Sequence, residues 1–288
     1  MEHTFAIPVY RAAPNLAALI QSLRAQTAVS SEILLASSTP STELEETARR
    51  QAVPLYINPR RLDIAADWNF ALEAARTALV TLAHQDDLYA PDYAARLSEA
   101  LRRHPGALIA FSDYTEHTPQ GPRPINLNLR IKRALCHRAF GARESLAEPR
   151  DKIRLLSLGN PICCPSVMLH RAALGEFRFP AGLQTNLDWM AWLALARRPG
   201  EFVYVRESLV SKGVHPGSET TATIANRKRE REDRAMFEAF WPRPVAALIT
   251  AVYRLGYRAN RIQPSQPSLA DTDHPASDED DTQPLHRR

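Results

Sequence analysis

The residues best suited to chemistry in this chain lie where an apolar run of strand length, ALVTLAHQDD (78–87), ends on two adjacent carboxylates, Asp86 and Asp87. A short apolar run bounded by turn residues reads as a strand buried on both faces, and Pro91 with Asp92 opens an amphipathic helix behind it. In parallel α/β sheets ligands gather beyond the carboxyl ends of the strands, where a rigid scaffold meets solvent. Extended backbone points neighbouring side chains in different directions. One carboxylate is then free to take a divalent cation while the other accepts a hydrogen bond from a sugar hydroxyl. The competing reading of an isolated Asp-Asp pair is a cap on the following helix.

The elements that must hold these acids can be read from periodicity. A first strand is expected over 4–10, followed by a helix in which Leu16, Leu19, Ile20 and Leu23 share one face behind Asn15 as cap. A second strand spans 32–36, and Thr42 with Glu45 suggests a capping box for a helix to about Gln51. A third strand at 54–58, a helix at 64–75, a helix at 91–103 and a strand at 107–111 continue the alternation. Strands alternating with helices argue for an α/β fold with a mainly parallel sheet covered on both faces. From 118 to 150 the pattern gives way to Pro-rich and basic segments, read as a mobile insertion. Pattern resumes at 166–169, then in a tryptophan-bearing helix at 187–196 and strand-like runs at 202–205 and 208–214. A charged helix at 221–240 precedes an apolar-rich helix at 245–257, which either packs on the body or rests on a membrane surface.

Composition bounds the function classes. At 288 residues the chain can bury a substantial core in one or two domains. Cys136, Cys163 and Cys164 are too few for a zinc cluster or a disulfide framework. The start, MEHTFAIPVYRAAP, lacks the basic beginning and long apolar core of a secretory signal, and no apolar run reaches the roughly 20 residues of a membrane span. A cytoplasmic protein is expected. The net charge of +4 hides an acidic tail: from Gln263 onward six acids face two arginines, leaving a strongly basic body. Such a body attracts nucleotide phosphates or anionic lipid. Basic and aromatic residues do not interleave as in an RNA-binding surface, so a nucleic-acid partner is not expected. The tail, with few large apolar residues, is expected to be disordered.

Taken in order, FAIPVYR, LIQSLRAQT, EILLASSTPS, WNFALEAARTALVTLAHQDDLYAPDY, NPICCPSVMLHR, TNLDWMAWLALARRPG and LVSKGVHPGSETT resemble the family two glycosyltransferases. Enzymes of this family have the GT-A fold and move sugars from nucleotide-sugar donors. The resemblance covers roughly 4–241, and HQDD followed by DW and then by GVHPGS is its most specific combination. It implies a GT-A type, Rossmann-like sheet with added C-terminal helices. On this reading 1–115 is the nucleotide-sugar-binding half, 116–150 the insertion, 151–241 the acceptor half, 242–262 a C-terminal helix and 263–288 the tail.

Residue by residue, the resemblance implies Asp87 as a metal ligand, His215 as a position near the metal or diphosphate, and Asp86 as a contact to the donor's ribose or sugar. It implies Asp188 as general base on the acceptor hydroxyl, against the simpler reading of an acid favoured at a helix start. Pro8 and Tyr10 align with the strand end that packs on the nucleotide base, Asn69 with a helix position near the donor, and Arg11 with a place where it can meet a phosphate.

The chain also departs from the family pattern. Ser37 and Ser38 stand where an Asp usually reads the uracil ring, and Gln85 stands for the first acid of the Asp-x-Asp triplet, bringing no charge to a cation. The resemblance implies an inverting transferase using Mg²⁺ or Mn²⁺, a UDP- or dTDP-sugar and a carbohydrate or lipid-linked acceptor, serving polysaccharide, lipopolysaccharide or other glycoconjugate synthesis. The base would lie within about 3 Å of the acceptor hydroxyl, and the cation would neutralise charge on the leaving diphosphate. The alternative motivated by Ser37, Ser38 and Gln85 is a GT-A domain that binds nucleotide or carbohydrate without transfer. A nucleotidyltransferase is weaker still, because no Gly-rich phosphate loop stands after the first strand.

Overall fold

The computed structural model describes residues 2–11, 13–60, 63–214 and 228–259. Four strands that read as β-rich apolar runs, β1 (His3–Pro8), β2 (Ser31–Ser37), β3 (Leu55–Ile57) and β4 (Leu79–Leu82), form a parallel block in the order β3-β2-β1-β4. Helices α1 (Leu16–Arg24), α2 (Thr42–Arg50) and α3 (Ile64–Ala74) make the crossovers. α1 buries Leu16, Leu19, Ile20 and Leu23, the stripe its spacing demands. Asn15 occupies the N-cap of α1 without a side-chain capping bond, and Ser41 rather than Thr42 caps α2, accepting the Leu44 N–H at 3.2 Å. Asp63 caps α3 through the Ala66 N–H at 2.8 Å.

The sheet then departs from simple alternation. β5 (Leu88–Tyr89), α4 (Tyr93–Arg103) and β6 (Ala107–Thr118) precede a short hairpin strand, β7 (Gly121–Arg123). β9 (Val167–His170) inserts between β4 and β6 and runs antiparallel to both, while the long β10 (Glu201–Gly213) pairs parallel with β6 and antiparallel with β5. The two runs expected at 202–205 and 208–214 are thus one strand, broken in register between Val205 and Val210 by irregularities that let it bend across the site. A one-strand inversion is invisible to periodicity, because a strand buried on both faces reads the same in either direction.

The stretch expected to be a mobile insertion carries α5 (Leu127–Phe140), β8 (Ser145–Leu146) and the start of α6 (Pro149–Leu156). Asn126 caps α5 by accepting the Leu129 N–H at 2.8 Å. Only Leu129, Cys136 and Phe140 of α5 are buried, a stripe too sparse to register as helical spacing. α7 (Arg171–Leu174), α8 (Leu187–Ala196), α9 (Lys228–Glu238) and α10 (Arg243–Ala259) complete the described elements. One core, around Trp189, Trp192, Phe202 and Phe237, lies under α8 and α9; a second, around Phe5, Leu19, Tyr93 and Met168, lies under α1 and α4. The acidic tail and His215 lie outside the described residues.

Candidate active site

The acid pair sits in a turn after β4, not on extended strand, since β4 ends at Leu82 and the Asp87 N–H closes back on the His84 carbonyl at 3.2 Å. Neither acid caps a helix, because β5 comes directly after them. Asp87 is buried, and its Oδ1 accepts the Gly213 N–H at 2.9 Å, joining the turn to the end of β10. A Cβ on Gly213 would stand 2.2 Å from the Asp86 carbonyl oxygen, so only glycine lets β10 come this close to the turn. Burial, with the charge of Asp86, raises the Asp87 carboxyl well above the ordinary range; the Gly213 N–H and the Lys212 charge oppose this. Asp86, by contrast, is half-buried.

Gln85 has a task that its residue type does not suggest. Its Oε1 accepts the Tyr10 N–H at 3.0 Å and its amide reaches the Tyr10 carbonyl at 3.5 Å, fastening the exit of β1 to the acid turn. Tyr10 is half-buried, and the exposed Arg11 lies over its ring at 4.9 Å. Arg11 takes a left-handed φ of 57° and donates its N–H to Thr39 Oγ1 at 2.8 Å, tying this loop to the exit of β2. Pro8 closes β1 half-buried.

Beyond β2, Ser37 is buried and its hydroxyl accepts the Thr39 N–H at 3.1 Å. Ser38 donates to Asp67 Oδ2 at 2.8 Å, and Asn58 donates to Asp67 Oδ1 at 3.3 Å. A carboxylate therefore does stand after the second strand, delivered by α3. Sequence reasoning misses Asp67, since nothing in the linear order links a first-turn helix acid to a serine 29 residues upstream. Asn69, expected near the donor, instead clamps Phe179: it donates to the Phe179 carbonyl at 2.9 Å and accepts its N–H at 2.8 Å. Both ends of the amide are thereby committed to holding 177–180 against α3.

Asp188 lies in the first turn of α8, whose start is fixed from a distance. Glu232 on α9 accepts the N–H groups of Gln184, Thr185 and Asn186 at 2.9, 2.9 and 3.1 Å, and Asn186 donates to the buried Asp233 at 2.7 Å. Asp188 Oδ1 accepts the Trp189 N–H at 2.7 Å and Oδ2 accepts the Asn160 amide at 3.0 Å. Burial raises the Asp188 carboxyl above its ordinary range; the Trp189 N–H and the charges of Lys132, Lys212 and Arg229 work the other way. Burial pushes the Cys163 thiol up to about 12, and the charges of Lys212, Asp87, Lys132 and Asp188 all act on it.

Two observations bear on a cation. The outer oxygen of Asp87, Oδ2, and His84 Nε2, held neutral because burial drops its pKa to about 4, are buried in the same turn without hydrogen-bond partners. Orphaned acceptors of this kind fit a divalent ion. Among the described residues no group of three His, Cys, Asp or Glu side chains could hold a metal on its own, so a cation here would need oxygens from a bound phosphate.

The family model described as glycosyl transferase family 2 matches residues 4–176. No curated protein matches the chain. Among solved structures, a mannosyltransferase from Pyrobaculum calidifontis in complex with GDP-Man and Mn²⁺ is similar with a TM-score of 0.60 at 17% identity, covering 90% of this chain and 70% of that one. TarS 1-349 of S. aureus in complex with UDP-GlcNAc is similar with a TM-score of 0.55 at 14% identity, covering 88% and 71%. Glucosyl-3-phosphoglycerate synthase from Mycobacterium tuberculosis, crystallised with Mn²⁺, UDP and glucosyl-3-phosphoglycerate, gives 0.53 at 13% identity, covering 88% and 80%. The central mainly parallel sheet and its flanking helices are the GT-A fold.

Proposed function

The chain belongs to glycosyl transferase family 2, and we propose that it moves a sugar from a UDP- or dTDP-type donor to an acceptor hydroxyl with inversion at the anomeric carbon. The observation that carries this reading is Asp188, a half-buried carboxylate held at the head of α8 by Asn160 and the Trp189 N–H. An inverting transfer needs one base on the acceptor side: the acceptor oxygen bonds to the anomeric carbon, its proton passes to Asp188, and the bond to the diphosphate breaks. A carboxyl whose proton affinity is raised suits that task better than an ordinary one, because it holds the proton it takes.

On the donor side, Asp67 with Ser38 faces the base end, Tyr10 and Arg11 flank the β1 exit, and Asp86 meets the ribose or sugar. Asp87 would hold Mg²⁺ or Mn²⁺ together with donor phosphates, with His84 of the same turn and, on the family resemblance alone, His215 as further candidate ligands. The ion would supply positive charge to the departing diphosphate. Solved structures of similar fold holding UDP, UDP-GlcNAc or GDP-Man, two of them with Mn²⁺, support a nucleotide donor and a cation. The acceptor proposed is a carbohydrate or lipid-linked sugar of cell-envelope polysaccharide or another glycoconjugate, assembled in the cytoplasm at the inner face of the membrane.

A second reading, a GT-A domain that binds nucleotide or carbohydrate without transfer, draws on the lack of a three-ligand acid cluster among the described residues. One experiment separates the two. Thermal shift of the purified protein against UDP-, dTDP- and GDP-sugars with and without Mn²⁺ should find a stabilising donor whose effect Asp87→Ala removes. Incubation of that donor should then release nucleoside diphosphate. Stabilisation without release in the presence of candidate acceptors favours the second reading, and no stabilisation by any nucleotide sugar overturns the transfer reading and the nucleotide-binding form of the second.

A further inference from the structure

Two neighbouring helices expose apolar side chains that the body leaves uncovered. α10 fixes one face to the protein through Ala246, Thr250 and Tyr253, the last beside Trp189 and Phe237. Its opposite face presents Val245, Leu248 and Val252, the latter two at 67% and 61% exposure. α5, which packs beside α10, likewise presents Leu127 and Ile131 at 65% and 50%. Adjoining exposed Leu, Ile and Val side chains on two packed helices form a patch of the kind that marks an interaction surface, so the outer face of α10 calls for a cover.

Charge identifies that cover. Neither α5 nor α10 contains a single acidic residue, while Arg130 and Arg138 lie exposed on α5 and Arg243 at the start of α10. Exposed Leu, Ile and Val beside guanidinium groups match a bilayer surface, where side chains enter the acyl boundary and arginines meet lipid phosphates. A protein partner would more commonly meet such a patch with mixed charge and aromatic anchors, and α5 and α10 turn no aromatic residue outward among the residues with described side chains. The segment after Ala259 carries the acids that could pair with the arginines, but its few large apolar residues cannot cover the leucines and valines.

We propose that the α5–α10 face docks this protein on an anionic lipid surface. The proposal concerns a face built from insertion and C-terminal helices, and it stands whether or not the chain transfers sugar. No helix among the described residues is long and apolar enough to cross a membrane, so the contact is peripheral.

The test is co-sedimentation of the full chain with phosphatidylcholine vesicles and with vesicles containing about one part phosphatidylglycerol in three, at low and raised salt. Binding is expected only to the anionic vesicles and should weaken with salt, and by about fivefold for each of Arg130→Gln and Arg243→Gln. The pair Leu248→Glu with Val252→Glu changes only exposed positions and should abolish binding while leaving the melting temperature in place. Absence of binding to anionic vesicles overturns the proposal, as does binding that Leu248→Glu with Val252→Glu leaves intact. A concentration-dependent dimer that this variant dissolves, without vesicle binding by the wild type, assigns the face to a second copy instead. Deleting 263–288 should leave binding intact or strengthen it; loss of binding on that deletion also overturns the proposal.

Discussion

The Asp87 carboxylate accepts the backbone N–H of Gly213 at 2.9 Å across 126 residues of sequence, and this bond closes the acid turn against the last residue of β10. It sets one oxygen of Asp87 to structural work and leaves the other buried and unpartnered. The more exposed Asp86 is thereby placed on the solvent side of the same turn.

Gly213→Ala should be among the most damaging single changes in the chain. The new Cβ would meet backbone, the Asp86 carbonyl oxygen, at 2.2 Å, so relief requires β10 or the turn to move. Overpacking of this kind costs about 1–3 kcal/mol. The urea midpoint should fall accordingly, and stabilisation by Mn²⁺ with a nucleotide sugar should be lost together with it. A variant of wild-type stability and donor response would show that the closure of β10 on the turn is dispensable.

Asp188→Asn should keep donor binding while lowering turnover by about 10²–10⁴-fold, the usual contribution of a positioned base. Asn160→Ala, which removes the bond to Asp188 Oδ2, should lower kcat by about ten- to hundredfold with little change in donor KM. The base works deprotonated, and burial raises its proton affinity, so activity should fall on the acid side at a pH above that of an ordinary carboxylate. Because the Asn160 amide favours the charged form, Asn160→Ala should move that acid limb to still higher pH. A profile unmoved by Asn160→Ala would assign the base to another group.

Gln85→Ala tests whether the amide acts through the Tyr10 backbone or through a cation. Loss of the Tyr10 N–H bond should cost about 1 kcal/mol and raise donor KM, with the metal requirement unchanged. Gln85→Asp restores the charge seen in the family triplet but is one methylene too short for Tyr10. It should therefore bind donor more weakly than wild type at any Mn²⁺ concentration. Tighter Mn²⁺ dependence with improved turnover would show that the missing charge, rather than the lost clamp, limits the site.

His3 gives a pH dependence that belongs to the fold alone. It is fully buried between Ser31 Oγ at 2.8 Å and Thr81 Oγ1 at 3.0 Å, and burial lowers its pKa from 6.5 to about 3. The folded state thus resists a proton that the unfolded chain accepts. Between these two values the unfolded chain binds more protons, so stability falls as pH falls from about 6.5 toward 3, with a slope approaching 1.4 kcal/mol per pH unit. His3→Asn should be less stable at neutral pH and show a flatter decline in urea midpoint between about pH 6.5 and 4.5. Parallel declines for the two proteins would place the acid sensitivity elsewhere.

The first half of the fold was legible because its information is local. The stripe Leu16, Leu19, Ile20, Leu23 and the apolar runs of β1, β2 and β4 each state their own burial. Asp86 and Asp87 stand out as an acid pair where an apolar run ends, whereas Asp188 stands out only through the resemblance, since an acid at a helix start is ordinary by itself. What the sequence hid is what depends on partners remote in the chain. The reversed direction of β9 leaves no periodic trace, the segment leading into α8 is fixed by Glu232 from another helix, and Asn69 serves Phe179 across 110 residues. Gln85 looked like a missing charge because its partner is backbone, which no residue type announces.

Asp67 is the sharpest instance, and it carries the remaining prediction. In the linear order Ser37 and Ser38 leave the exit of β2 without a carboxylate, yet Ser38 and Asn58 hold Asp67 there at 2.8 and 3.3 Å. If Asp67 reads the nucleobase, Asp67→Asn exchanges an acceptor for a donor at one edge of the ring while both neighbours can still bond to it. Its fold should survive, and discrimination between uridine- and guanosine-type donors should shrink by about tenfold or more, the scale of a hydrogen bond to a charged group. If Asp67 only organises the β2 loop, Asp67→Asn should lower affinity for every donor alike. The ratio of donor affinities, measured by titration with each nucleoside diphosphate, separates these outcomes. An unchanged ratio returns base recognition to Tyr10 and the serines.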